Sequence, residues 1–410
     1  MIEHKRIAFV CHPYHRGGVT RWMADAAIAF AHQGWDVYFI TVAPSVVFFS
    51  GKGRETLLRL LQKENAGIHT LSVPVGREFE FGTTEYKAYI YRKLLLQLPP
   101  GSPVILSDDP AVWQAAASLY STFPMVGVLH ADEAYYYSLA TKYFRQLSIL
   151  VCVSERVKMN TIKQIPGIDA SKIYTIPCGI NLPGDILSGH AGDILQLVYV
   201  GRISEYQKRV SDLVKVCAQL HQLNKAFHLN IIGDGDEKAM LEDKFDEAGL
   251  GSLVTFRGWL SQKDVSMWLA TSDILILTSD FEGTPVAMME ALAAGCGITG
   301  TRVSGIEDYE LHLLAADCFA LFDVGDIEGA ISGIAKIAAV PVSIRQQSAR
   351  ALAEAEFSMP VCIERYINAV QTVTSGNITA AINVKMPVSA ILYSRIVAAL
   401  RYLKISISRA

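Results

Sequence analysis

Short apolar runs rich in β-branched residues alternate along the chain with longer segments whose apolar positions recur every three or four residues. Residues 6–11 read as a strand, the stretch from about 20 to 34 as a helix, and 36–42 as a second strand. Such alternation predicts parallel strands joined by crossover helices. Further strands are expected at 68–73, 104–107, 125–130, 149–153 and 173–176. Most are continuous apolar runs, as in a sheet covered on both faces. The stretch 181–193 then breaks the pattern with Pro183, Gly184, Gly189 and Gly192, a turn-rich composition suited to a linker. Beyond it the alternation restarts, with strands expected at 197–201, 228–233, 253–258, 273–278 and 297–301 and helical patterns such as 209–223 between them. No sequence repeats at a short period, which excludes a solenoid.

The expected architecture is therefore α/β, with two doubly wound parallel sheets. One unit spans 1–185 and a second 194–355; a helix at 356–374 and an extension at 376–410 follow. Open α/β sheets bind ligands beyond the carboxyl ends of their strands, so two facing sheets place a ligand in the cleft between them.

Composition narrows the chemistry. A length of 410 residues suits two domains, and 51% hydrophobic against 19% charged residues supplies buried sheets without a case for disorder. The net charge of −3 and the lack of a basic stripe in the body argue against nucleic-acid binding. Seven scattered cysteines, none in a C-x-x-C pair, argue against a disulfide framework or a zinc site and for buried, reduced thiols. The start Met-Ile-Glu-His-Lys-Arg runs straight into the first strand, a pattern expected without a secretory leader. No apolar run reaches the roughly 18 residues of a spanning helix. These features predict a cytoplasmic protein. The first loop lacks G-x-G-x-x-G and no Walker-type loop occurs, so NAD and ATP sites are disfavoured and no cofactor is expected.

The strongest chemical signal follows the apolar run 273–278: Asp280-Phe-Glu282-Gly283-Thr284-Pro285-Val286-Ala-Met-Met-Glu290. With Pro285 in the first helical turn, Glu282 sits in the loop and Glu290 about two turns along, and both can face one ligand. The Gly-Thr-Pro entry offers backbone amides and a positive helix end to a diphosphate, while the carboxylates can accept hydroxyl donors from sugar or ribose. Taken alone, the pair is equally well explained as a helix cap and a solvated helix residue. A second constellation changes that balance. Gly201-Arg202 after a strand, with Lys208 six residues on, places two cations where a leaving diphosphate can be neutralised, Arg by a bidentate fork and Lys as a point charge. Alone those would read as a solvated loop.

With these motifs the chain resembles the family-4 glycosyltransferases over nearly its whole length. The matching segments, in the family's order, are His15-Arg16-Gly17-Gly18, Val128-Leu129-His130, Val153-Ser154-Glu155, Ile176-Pro-Cys-Gly-Ile-Asn181, Gly201-Arg202 with Lys208, Ile232-Gly-Asp-Gly235, and the Glu282/Glu290 motif. The resemblance implies a GT-B fold of two Rossmann-like domains and a nucleoside-diphosphate sugar donor. It implies transfer to an acceptor hydroxyl with retention of anomeric configuration; with basic residues in the role of a divalent ion, no metal ion is expected. It makes Glu290 the ribose ligand, Glu282 the partner of the donor-sugar hydroxyls, and Arg202 and Lys208 the diphosphate ligands. The backbone of Gly283, Thr284, Pro285 and Val286 would close on sugar and phosphate, and Trp259 and Leu260 fall where the family seats the nucleobase. From the other domain, Gly17 and Gly18 would approach the phosphates and His130 the donor sugar; outside this context, His130 would read as a strand-end core residue. The helix ending near Val373 resembles the family's last, which crosses back onto the first domain. This chain departs from the family at Val303-Ser-Gly-Ile-Glu-Asp308, one residue short of the usual segment, so Glu307 is given no role. The family's later Gly-rich stretch is replaced by Ala315-Ala-Asp-Cys-Phe-Ala-Leu321.

Asp108-Asp109 and Asp234-Gly-Asp236 could suggest a metal, but acidic residues are common at turns and caps and both are read so. Two alternatives share the fold: a nucleotide-sugar epimerase, and a catalytically silent nucleotide-sugar-binding protein. The extension holds Lys385, Arg395, Arg401, Lys404 and Arg409 and no acidic residue. Pro387 can open a helix there with Ile391, Leu392, Ile396, Leu400 and Leu403 on one face and Arg401 and Lys404 opposite, although Arg395 spoils the separation. The segment 387–409 reads equally as a helix packed on the protein or as an attachment to an anionic membrane surface. The latter would put the protein on the inner face of the cell membrane, with a saccharide or lipid-linked acceptor.

Overall fold

A computed structural model of the chain describes residues 5–12, 18–44, 61, 67–184, 194–372 and 388–407. The first sheet has seven parallel strands: β1 (Arg6–Val10), β2 (Asp36–Pro44), β3 (His69–Val75), β4 (Val104–Leu106), β5 (Met125–Leu129), β6 (Ile149–Cys152) and β7 (Ile173–Thr175), in the order β3-β2-β1-β4-β5-β6-β7. The second has six: β8 (Leu195–Val200), β9 (Phe227–Ile232), β10 (Val254–Gly258), β11 (Ile274–Leu277), β12 (Gly297–Thr301) and β13 (Phe319–Phe322), in the order β10-β9-β8-β11-β12-β13. Central strands such as β4, β5 and β11 are buried throughout, which is why they read as unbroken apolar runs. The edge strand β3 alternates exposed and part-covered positions instead.

In both sheets the winding reverses beside the first strand, between β1 and β4 and between β8 and β11. Loops leaving adjacent strand ends diverge there, and a crevice forms that a ligand can enter.

All thirteen strands but one fall on expected segments. The exception is β13, which pairs in register with β12 inside the stretch read only as a departure from the family. Its four residues, bounded by Asp317-Cys318 and Asp323, are too few to show a period. Arg209 also does not belong to the long helix expected at 209–223. It closes the short helix Glu205–Lys208 in a left-handed conformation (φ 46°), and the long helix runs Ser211–Gln222. The linker expected at 181–193 lies outside the described residues from 185 onward.

The helix Met359–Gln371 packs against Gly18–His32 of the first half, where the Trp22 and Tyr366 rings lie 5.6 Å apart. Gly179 is required at this crossing, because a Cβ there would meet Cys362 Cβ at 2.6 Å. All seven cysteines are free and buried. Among the described residues, no single helix is long and apolar enough to cross a membrane.

Candidate active site

A cleft of about 600 Å³ opens between the two sheets, within the range of small-molecule sites. Its lining includes His130, Arg202, Lys208, Glu282, Gly18, Trp259, Leu260, Gly283, Thr284, Pro285, Val286 and Glu290. Every candidate residue among the described ones therefore meets in one space. Gly17, with His15 and Arg16, lies outside the described residues.

The cationic wall follows β8. Gly233 and Gly235 pack their backbone onto this loop: a Cβ on Gly233 would lie 1.8 Å from the Gly201 carbonyl oxygen, and one on Gly235 2.0 Å from that of Ile203. That close contact is what the Gly-Asp-Gly turn provides. Tyr199 Oη donates to the Arg202 carbonyl at 2.6 Å and Thr278 Oγ1 to that of Lys208 at 2.7 Å. Both cations thus stand on braced backbone.

Lys208 Nζ pairs directly with Glu282, whose side chain is buried and also accepts from Ser279 Oγ at 2.6 Å. The two residues expected from the sequence to be the diphosphate cation and the sugar carboxylate are thus paired with each other. A buried pair of this kind fixes both side chains, since separating them would strand a charge away from water. Gln207, in the same short helix as Lys208, lines the cleft and donates to the Phe281 carbonyl at 3.2 Å.

Pro285 is the N-cap of the helix Val286–Ala293, not part of its first turn. Its backbone is extended (φ −63°, ψ 123°), and its carbonyl accepts from the amides of Met288 and Met289. Glu290 is consequently the fifth helical residue, just over one turn in rather than two. Proline at the cap has no side chain to satisfy the first amides, which leaves them for a ligand anion. The helix Gly18–His32 brings a second positive end to the same place, with the Gly18 Cβ position 3.1 Å from Val286 Cγ2.

Burial pushes the Glu290 carboxyl up to about 7, opposed by a hydrogen bond from Gln262 (3.3 Å) and by the Arg21 cation across the cleft, and reinforced by Asp25. Arg21 is itself held by Asp25 at 2.7 Å. Burial also holds the His130 imidazole neutral, lowering its pKa to about 3. Its Nδ1 lies 3.9 Å from Cys178 Sγ, and its buried Nε2 has no partner among the described residues. Unpaired buried polar atoms are rare, and this one belongs to a residue that lines the cleft.

The loop Glu282–Thr284 belongs to both halves. Asp132 N donates to the Glu282 carbonyl at 2.9 Å and Thr284 Oγ1 to the Val153 carbonyl at 2.6 Å. Beside them Ser154 and Ser304 hydroxyls lie 2.7 Å apart, Asp308 accepts from Glu155 N at 2.7 Å, and Arg156 pairs with Glu307. Glu307, left without a role by the sequence, thus joins the seam. Gln207, Ser279, Arg21 and Gln262 were likewise missed. Only Gln207 carried a signal, its place beside Lys208.

Two parallel sheets of like strand order, with a cationic cleft between their switch points, define the GT-B class. The pattern described as Glycosyltransferase Family 4 matches residues 16–183, and that described as Glycosyl transferases group 1 matches 188–351. Together they cover about four-fifths of the chain, which belongs to the family-4 glycosyltransferases. It is similar to the amylovoran biosynthesis glycosyltransferase AmsK of Erwinia amylovora, 29% identical over 178 residues, covering 41% of this chain and 42% of that one. It is also similar to the lipopolysaccharide 1,6-galactosyltransferase of Escherichia coli K12, 27% identical over 236 residues, covering 55% and 60%. The chain spans about half the length of these curated relatives. Among solved structures, the lipopolysaccharide outer core galactosyltransferase WaaB aligns with a TM-score of 0.66 at 18% identity, covering 90% of this chain and 99% of that one. The pneumococcal O-GlcNAc transferase GtfA, in complex with UDP and GlcNAc, aligns at 0.70 and 13%, covering 90% and 99%. At such identities the likeness is one of fold.

Proposed function

We propose that the protein transfers a sugar from a nucleoside-diphosphate donor to an acceptor hydroxyl, with retention of anomeric configuration and without a metal ion, in polysaccharide or glycolipid assembly. The observation that carries this reading is the convergence of Arg202, Lys208, Glu282, Glu290 and two helix N-termini in one cleft. The amylovoran and lipopolysaccharide enzymes among its relatives support the pathway class, and the neighbour holding UDP supports a nucleoside diphosphate.

In this reading the donor diphosphate lies between Arg202, Lys208 and the amides at Val286, with the ribose on Glu290 and the base near Trp259, which is 65% exposed and free to stack. Glu282, anchored by Lys208 and Ser279, orients the sugar hydroxyls, and neutral His130 offers Nε2 to the sugar from the opposite wall. Departure of the diphosphate builds negative charge on phosphate and positive charge on the sugar. The cations and helix ends are placed for the first of these, with no reorganisation required at the moment of reaction. The leaving phosphate oxygen can take the acceptor proton, so no protein nucleophile is invoked. Free, buried thiols support a cytoplasmic setting.

The test is product analysis of a nucleotide sugar incubated with and without acceptor, in the presence of a chelator. Acceptor-dependent glycoside of unchanged anomeric configuration is the expected result. An altered nucleotide sugar without acceptor would indicate an epimerase, binding without turnover a silent binding protein, and inversion or chelator sensitivity would overturn the mechanism.

A further inference from the structure

The helix Val388–Ile407 is packed the opposite way round from an ordinary surface helix. The residues it buries against the first half are small, with polar groups and the Tyr402 ring, 5.8 Å from that of Phe81, completing the contact. Ser394 and Ala398 are buried, Ser394 Oγ accepts from Thr83 N at 3.1 Å, and Arg401 donates to the carbonyls of Phe81 (3.3 Å) and Gly82 (3.0 Å). The Arg77 guanidinium lies over the Tyr402 ring at 4.2 Å. Arg401, expected on a solvated face, is therefore a structural pin. Pro387 and the side chain of Leu403 lie outside the described residues.

The face turned away from the protein is apolar. Val388 is 81% exposed, Leu392 58%, Ile396 50% and Leu400 62%. With exposed Tyr393, Ser389 and Ala399 they fill an arc of roughly 140° at about 100° per residue. Arg395 and Lys404, both exposed, fall on the two borders of that arc. Arg395, read from the sequence as spoiling the separation, is thus a flanking charge. A contiguous apolar ridge on a surface calls for a partner. Long cations on its borders can stretch outward while their stems remain apolar.

We propose that this helix docks the protein on an anionic lipid surface, its ridge sinking into the headgroup–acyl boundary and Arg395 and Lys404 pairing with lipid phosphates. Charge complementarity selects this occupant. The segment 376–410 has five basic and no acidic residues, so two copies laid ridge to ridge would oppose like charges, whereas an anionic bilayer meets both borders. The inference stands independently of the reaction proposed for the cleft.

The experiment is flotation of the full chain with phosphatidylcholine vesicles, with and without about one-third phosphatidylglycerol. It compares wild type, the triple variant Leu392→Gln/Ile396→Gln/Leu400→Gln, and the double variant Arg395→Gln/Lys404→Gln. All of these side chains are exposed, and an unchanged circular dichroism spectrum and melting temperature confirm the fold. The expected result is partitioning onto anionic vesicles that salt weakens, near-complete loss in the triple variant, and a drop of about 25-fold in the double variant, from about fivefold per charge. Three results would overturn the proposal: no preference for anionic vesicles, a triple variant that floats like wild type, or a vesicle-free wild-type dimer that the triple variant dissolves.

Discussion

Arg202 and Lys208 illustrate what single residues contribute. Each stands on backbone held by a hydroxyl, that of Tyr199 in β8 or of Thr278 just past β11, and each would face the leaving diphosphate. Arg202→Ala or Lys208→Ala should each lower turnover by about 10²-fold, as loss of a preorganised oxyanion donor does; steady-state assays showing near-normal turnover in both would remove them from the mechanism. Glu290 gives a pH signature. Its folded pKa of about 7 lies above its unfolded value, so ionising it costs stability as pH rises from the carboxylate range to about 7. Ribose hydroxyls favour the carboxylate, so binding below that pH releases a proton. Donor affinity should rise by up to about tenfold per pH unit and flatten above 7. Calorimetry should find the slope absent in Glu290→Gln and its plateau displaced upward in Arg21→Gln, which loses the cross-cleft cation. Glu282 and Glu290 were legible because they share one short motif. Arg21 and Gln262 were not, since their link to Glu290 exists only once distant helices meet.

At the scale of elements, the glycines decide how closely loops approach. A methyl on Gly283 would lie 1.9 Å from the His130 carbonyl oxygen and 2.8 Å from Val153 Cγ2. Gly283→Ala should therefore prevent the two walls from meeting and reduce turnover by about 10²-fold, the scale of a misplacement of about 1 Å. X-ray scattering would report a more open molecule, and turnover within a few-fold of wild type would contradict the contact. Buried parallel strands announce themselves as apolar runs, which is why the sheets could be read along the chain. The short edge strand β13 could not, because its identity comes from pairing with β12. Likewise, the sequence suggested Pro285 for the first turn, but its extended ψ places the helix start one residue later and makes Glu290 the fifth helical residue.

For the whole molecule, the seam of Arg156–Glu307, Asp308–Glu155 and Ser154–Ser304 joins the halves beside the donor loop. Arg156 and Glu307 are only partly covered, so their pair should contribute about 0.2–1 kcal/mol to closure and weaken with salt. A double-mutant cycle with Arg156→Ala and Glu307→Ala, read on turnover at low and high salt, should show coupling of that size at low salt only. This seam was hidden in the sequence because its strips, the start of the helix Glu155–Gln164 and the short turn Glu307–Tyr309, meet only once the two halves pack, and the 303–308 strip departs from the family pattern. Retention of a nucleotide-sugar donor by Arg202, Lys208, Glu282 and Glu290 is tested most directly by thermal denaturation with a panel of nucleotide sugars. At 100 times its dissociation constant the true donor should stabilise the fold by about 2.7 kcal/mol, and Arg202→Ala/Lys208→Ala should abolish that shift. Failure of every nucleotide sugar to shift the transition, or an equal shift in the double variant, would contradict the account.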